Sequence, residues 1–249
     1  MIRTWRPARS PARSGPAGRR PSAPVTHTLI VLCAALFLAG PAAGLNPAFG
    51  SGEELLAAQR AYFHRWGVVP ADLFAGTPRA ALTPLTASFV HGSWVHLLGN
   101  MLFLYVFGAM TEERMGRVQF ALFCLGCGYL ALLGYAAAND HSAQPLVGAS
   151  GAISAVLGAF LFLFPTARVT SLLPFLLFLP LRFPAWVVLP FWVAVQWVAA
   201  SRAGAGPGVA YLAHLVGFGL GFGYAWARFG RRTRVRSTRA PAPEGENKP

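Results

Sequence analysis

With 249 residues, 55% of them hydrophobic and only 12% charged, the chain carries about half the charge of a soluble domain of its length and reads as an integral membrane protein. Its net charge of +13 comes from 21 basic residues, all but one of them arginine, that flank apolar stretches without aromatic interleaving. That pattern excludes nucleic acid as a partner and fits topology determinants lying against the lipid bilayer.

Residues 1–25 hold Arg3, Arg6, Arg9, Arg13, Arg19 and Arg20 among prolines and serines, a composition that predicts a disordered cytoplasmic N-terminus. The first apolar span covers residues 28–44. Two readings stay open for it: a retained transmembrane helix, which is favoured, and a cleaved secretory signal peptide ending near "GPAAG". An amphipathic transit peptide is disfavoured by Pro7, Pro11, Pro16, Pro21 and Pro24. An outer loop over residues 45–92 follows, with an amphipathic piece at 53–66 suited to the membrane interface.

Further spans of about twenty apolar residues, the length that crosses a bilayer, read as 93–111, 118–138, 147–165, 183–200 and 208–228. The stretch "TSLLPFLLFLPL" at 170–181 is short and proline-broken, and is predicted to be an interfacial or re-entrant connection. The membrane domain is thus 26–230, and 231–249 is a disordered basic tail. With both ends cytoplasmic, 17 of the 21 basic residues fall inside and 4 outside, which supports an all-α polytopic bundle of six transmembrane helices.

Cys33, Cys124 and Cys127 lie within spans and read as small core residues. No spacing suggests a metal site and no glycine-rich loop suggests a phosphate cradle, so neither metal nor cofactor is expected. All eight acidic residues sit in loops, span ends or tails, which disfavours a proton relay built on buried acids.

The polar residues left inside the spans are few. The second span opens "HGSWVHLLGN": His91 at the helix start, then His96 and Asn100 four apart on one face. Burying an imidazole and an amide in hydrocarbon costs free energy unless both find partners. In the sixth span His214, Gly217 and Gly221 share a face, and in the fourth Ser150, Ser154 and Gly158 do. Such small-residue faces let helices approach closely. Both spans run inward from their first polar residue, so contact would bring the Ser150 hydroxyl near the His214 imidazole, an arrangement for nucleophilic catalysis. Backbone N–H groups around Ser150 and Gly151, with Asn100 and His96, are the candidate donors to an oxyanion.

The motifs "HGSWVHLLGN", "GASG" and "AHLVGFGLG", in this order on the second, fourth and sixth spans, resemble those of the rhomboid intramembrane serine proteases over residues 82–228. The resemblance implies that Ser150 is the nucleophile and His214 its base, with His96 and Asn100 stabilising the oxyanion. It also implies that Glu112, in "GAMTEERMG", belongs to a structural turn, as do His91, Gly148, Gly217 and Gly221 to structural parts of the motifs. Transmembrane protein segments would be the substrates, cut near their outer ends, with the outer loops and fifth helix as gates. Many members carry an aromatic ring four residues after the nucleophile, stacked on the histidine; Ser154 stands there in this chain, so either the base is held differently or an aromatic such as Phe218 or Tyr211 substitutes. The location expected is the bacterial cytoplasmic membrane. The alternatives from other classes are a non-catalytic membrane chaperone or helix-binding protein and a small-solute channel.

Overall fold

The computed structural model describes residues 22–76, 78–173, 179–202 and 211–237. The predictions for 1–21 and 238–249, most of the two basic ends, lie outside the described residues. The chain is mostly helical: α1 (Pro24–Ala39), α2 (Gly52–Trp66), α3 (Pro70–Phe74), α4 (Thr83–Ala87), α5 (Trp94–Phe103), α6 (Ala109–Met115), α7 (Arg117–Ala137), α8 (Ser150–Leu163), α9 (Ala185–Arg202) and α10 (Tyr211–Ser237). A wider π-type turn, Leu104–Gly108, joins α5 to α6 without a break, so the second apolar helix runs Trp94–Met115.

Each predicted span falls on a helix, with shifted ends. Trp94–Met115, Arg117–Ala137 and Ala185–Arg202 are long and apolar enough to cross a membrane, while Pro24–Ala39 and Ser150–Leu163 are shorter apolar helices. The last helix continues to Ser237, into the segment from 231 expected to be disordered. Two departures are larger. The connection expected at 170–181, interfacial or re-entrant, holds an antiparallel pair of strands, β1 (Arg168–Leu173) and β2 (Leu179–Pro184), with Arg168 opposite Pro184 through Leu173 opposite Leu179; residues 174–178 lie outside the described residues, and the fold is not purely α. Pro180 and Pro184 lack ladder donors, which suits β2 to an edge strand. The second helix also outlasts its predicted end at 111, so Glu112 lies within it.

The core is built around α8, whose residues from Ile153 through Phe160 are all buried. Its small side chains let α10 come to backbone contact. A β-carbon on Gly217 would strike the carbonyl oxygen of Gly151, one on Gly221 that of Ala155, and one on Gly158 that of Phe218. The two glycine-bearing faces expected to meet therefore do meet. Lipid supplies little hydrophobic drive for helices to associate, so such close packing carries the association. Outward faces are apolar instead: Val95, Leu122, Phe191, Trp197 and Trp226 are exposed.

A buried carboxylate fastens α1. Glu112, 1% exposed, accepts hydrogen bonds from Val25 N (3.0 Å), Thr26 N (2.8 Å) and Thr26 Oγ1 (2.8 Å). The first-turn N–H groups of a helix lack intrahelical acceptors and carry positive partial charge, so an anion there is doubly favoured. Thr26 also fits against Gly108, where a β-carbon would lie 3.0 Å from its methyl. Cys33, Cys124 and Cys127 are buried free thiols.

Candidate active site

The site begins where irregular chain enters α8. That helix has 14 residues, about 21 Å of rise against a hydrocarbon core of about 30 Å, so the backbone before it can lie at membrane depth, sheltered by protein. The segment between α1 and α5 packs against it. Val68 and Leu146 exchange two backbone hydrogen bonds (2.9 and 2.7 Å), and Gly148 N donates to Ala87 O at 2.9 Å. Gly148 has φ +127°, a conformation that side chains rarely adopt. Ser150 follows as the first residue of α8, half-buried, and its neighbours' first-turn N–H groups have no intrahelical acceptor.

On α5, Ser93 Oγ accepts from His96 N at 3.2 Å and so caps the helix that carries the next two polar residues. The N–H of Gly92 donates to His96 Nδ1, a long bond at 3.4 Å, which leaves the proton of the neutral ring on Nε2. That Nε2 faces Gly148: a β-carbon there would stand 2.7 Å from it and 3.7 Å from Ser150 Oγ. Asn100, one turn deeper, is 8% exposed, and its Nδ2 has no partner among the described residues. His91, before the helix, is 1% exposed. Its Nδ1 lies 3.3 Å from Phe89 O, its Nε2 has no partner among the described residues, and its ring meets that of His96 edge-on at 5.2 Å. Burial, chiefly, and the nearby His96 push the His91 pKa down to about 4, against a smaller opposing effect of the Phe89 carbonyl.

On α10, His214 stands one turn before Gly217, the residue in contact with Gly151. The Gly217–Gly151 contact fixes the height of the two helices, and the space beside Gly151 is bounded by Ala213 O at 4.0 Å. Ser150 Oγ forms no hydrogen bond with His214 among the described residues. Ser154 is buried and its hydroxyl donates to Ser150 O at 2.7 Å, one turn back along α8.

The imidazole of His214 is held from α9, which the sequence reading overlooked. Its Nδ1 lies 2.7 Å from Gln196 Oε1, and the Trp192 ring lies 6.0 Å away, tilted by 31°. Tyr211 meets it edge-on at 6.4 Å. Phe218 instead packs on Trp192 at 6.2 Å. The ring missing at position 154 is thus matched by Trp192, with Tyr211 beside it, and not by Phe218. Gln196 was visible by the logic that singled out Asn100, as the amide inside an apolar span.

Comparison with known families decides the kinship: residues 79–231, which hold every one of these groups, match the family model described as Rhomboid domain. The chain belongs to the rhomboid family. It is 36% identical over 145 residues to "Rhomboid protein 1, mitochondrial" of Saccharomyces cerevisiae, covering 56% of this chain and 40% of that one. It is 41% identical over 69 residues to "Rhomboid-like protein 11, chloroplastic" of Arabidopsis thaliana, covering 28% and 24%. The matches therefore span well under half the length of these relatives. As a rhomboid, the chain is an integral membrane protein.

Proposed function

We propose that the protein is an intramembrane serine endopeptidase that cuts transmembrane segments of other membrane proteins near the outer face. The observation that carries the reading is the unpartnered Asn100 Nδ2 buried on the helix face of His96, whose own Nε2–H borders Ser150 across Gly148. A buried donor without an acceptor is costly in a resting protein and useful where an oxyanion forms.

In this mechanism His214 Nε2 takes the proton of Ser150 Oγ as that oxygen attacks a peptide carbonyl carbon. The carbonyl oxygen becomes an anion and accepts from the N–H groups of Ser150 and Gly151, His96 Nε2 and Asn100 Nδ2. The intermediate collapses to an acyl-enzyme as His214 returns the proton to the leaving amine. Water then attacks the ester with His214 again as base, releasing the acid and restoring Ser150.

Six spanning helices (α1, the α5–α6 run, α7, α8, α9 and α10) with both ends cytoplasmic are part of the proposal, supported by the arginine distribution. Retention of α1 is supported by the Glu112 cap, whose three donors all belong to Val25 and Thr26 of α1 and would be lost with it. The bacterial cytoplasmic membrane is the location we propose; the charge pattern supports the orientation within it, and two of the relatives matched carry mitochondrial and chloroplastic names. A serine-directed fluorophosphonate tests the core of the reading: the folded protein should be labelled at Ser150. A folded protein that stays unlabelled and leaves a single-span substrate intact would favour a helix-binding role instead.

A further inference from the structure

Within the proposed site, the geometry points to Gln196 as a positioning residue that fixes the tautomer and direction of the His214 base. This rests on the Ser150–His214 reading and adds a third participant, drawn from α9. With Gln196 Oε1 only 2.7 Å from Nδ1, the oxygen accepts the Nδ1 proton. The neutral ring then carries its lone pair on Nε2, the atom that must take the Ser150 proton. The opposite arrangement, with the amide nitrogen donating to Nδ1, would put the proton on Nε2 and disable the base.

Two features make Gln196 more than a space-filler. It is a buried amide in a helix whose other buried residues are Ala185 and Leu189, and such a group is retained in a dry site at a cost unless bonded. It also stands one turn beyond Trp192, whose tilted ring borders the same imidazole, so α9 provides both the wall and the acceptor. Catalytic histidines elsewhere are held by a carboxylate that orients the ring and stabilises the imidazolium. An uncharged acceptor would orient the ring equally well and stabilise the imidazolium less, suiting a base in a low-dielectric setting where an extra buried charge is expensive. Among the described residues the titratable groups facing His214 are His96 from α5 and Tyr211 on its own helix; α8 carries no charged residue, and the one on α9, Arg202, lies in its last turn, beyond Gln196.

The test uses the full chain in liposomes, with a single-span substrate and fluorophosphonate labelling across pH. Wild type should be labelled at Ser150. Gln196→Leu should lower kcat and the labelling rate about ten- to hundredfold, the range for partners that orient a functional imidazole, with KM within about twofold. Gln196→Glu keeps an acceptor and should recover most of the rate. Its carboxylate should raise the base pKa and move the acid limb of kcat/KM to higher pH. Should the leucine variant fail to fold, Gln196→Met is read in its place. An apolar variant that keeps the wild-type rate and pH profile, or a folded Gln196→Glu that is inactive, overturns the assignment while leaving the labelled dyad intact. An unlabelled wild type removes the reading beneath it, and the assignment with it.

Discussion

Gly148 is the floor on which the His96 ring rests: a single added carbon there would come within 2.7 Å of Nε2 and 2.8 Å of Cε1. The glycine also holds a backbone angle of +127° and donates its N–H to Ala87 O. Gly148→Ala should therefore displace the imidazole and strain the turn together. We expect kcat to fall about a hundredfold, the size of effect that follows loss of one oxyanion donor, with Ser150 still open to a small phosphonate. Rates measured with matched labelling controls check this.

Asn100 should separate activity from stability. Its Nδ2 is buried without a partner, so Asn100→Ala removes a donor that contributes little to the resting fold. The expected outcome is a kcat lowered by about one to three orders of magnitude, with thermal unfolding unchanged or slightly raised. Full activity across substrates would sink the oxyanion assignment.

The two serines of α8 should behave oppositely. Ser150→Ala should abolish both cleavage and labelling, as should His214→Ala. Ser154→Ala removes only a hydroxyl committed to Ser150 O and should leave both in place. Mass spectrometry of the labelled peptide reads the result, and a phosphonate found on Ser154 would contradict it.

Glu112→Ala strips the acceptor from three donors around Thr26. Leaving even one such donor buried and unpaired costs about 1–3 kcal/mol, so the loss of melting temperature should exceed that of an ordinary surface substitution. Thermal unfolding in mild detergent measures it. Glu112→Gln, which keeps an oxygen, should fall between.

His91 predicts a pH effect outside the spans. Its pKa is lowered in the folded protein from near 6.5 to about 4, so the unfolded chain binds the proton first on acidification. The neutral buried ring contributes fully above about pH 6.5, and that contribution is lost as pH falls toward 4. His91→Leu should flatten this part of the stability profile, as followed by unfolding midpoints between pH 4 and 7.

The spans and the candidate dyad were legible because a polar group inside twenty apolar residues is conspicuous, and the spacing of His96 with Asn100, or of His214 with Gly217 and Gly221, already puts each set on one face. The pairing of 168–173 with 179–184 was not legible. Its leucines and prolines show no alternation, and only the pairing of Arg168 with Pro184 reveals it. Trp192 escaped notice for a different reason: one ring among the many of an apolar helix gains meaning only when His214 arrives from another element. The partners of Glu112 lie far away in sequence, and no local pattern encodes such a bond.

That distance sets a schedule for synthesis. Thr26 and its carboxylate are 86 residues apart, so α1 leaves the ribosome with its first N–H groups unclaimed and waits until Glu112 has been made. At elongation rates of about 5–20 residues per second the delay is about 4–17 s. During that interval the first turn of α1 has no acceptor, and only contacts with chain already made, such as Cys33 and Phe37 against Leu97 and Met101, are available to hold the helix. Formation of the Glu112 bonds ends the interval, making the docking of the first helix a signal that the second has been completed.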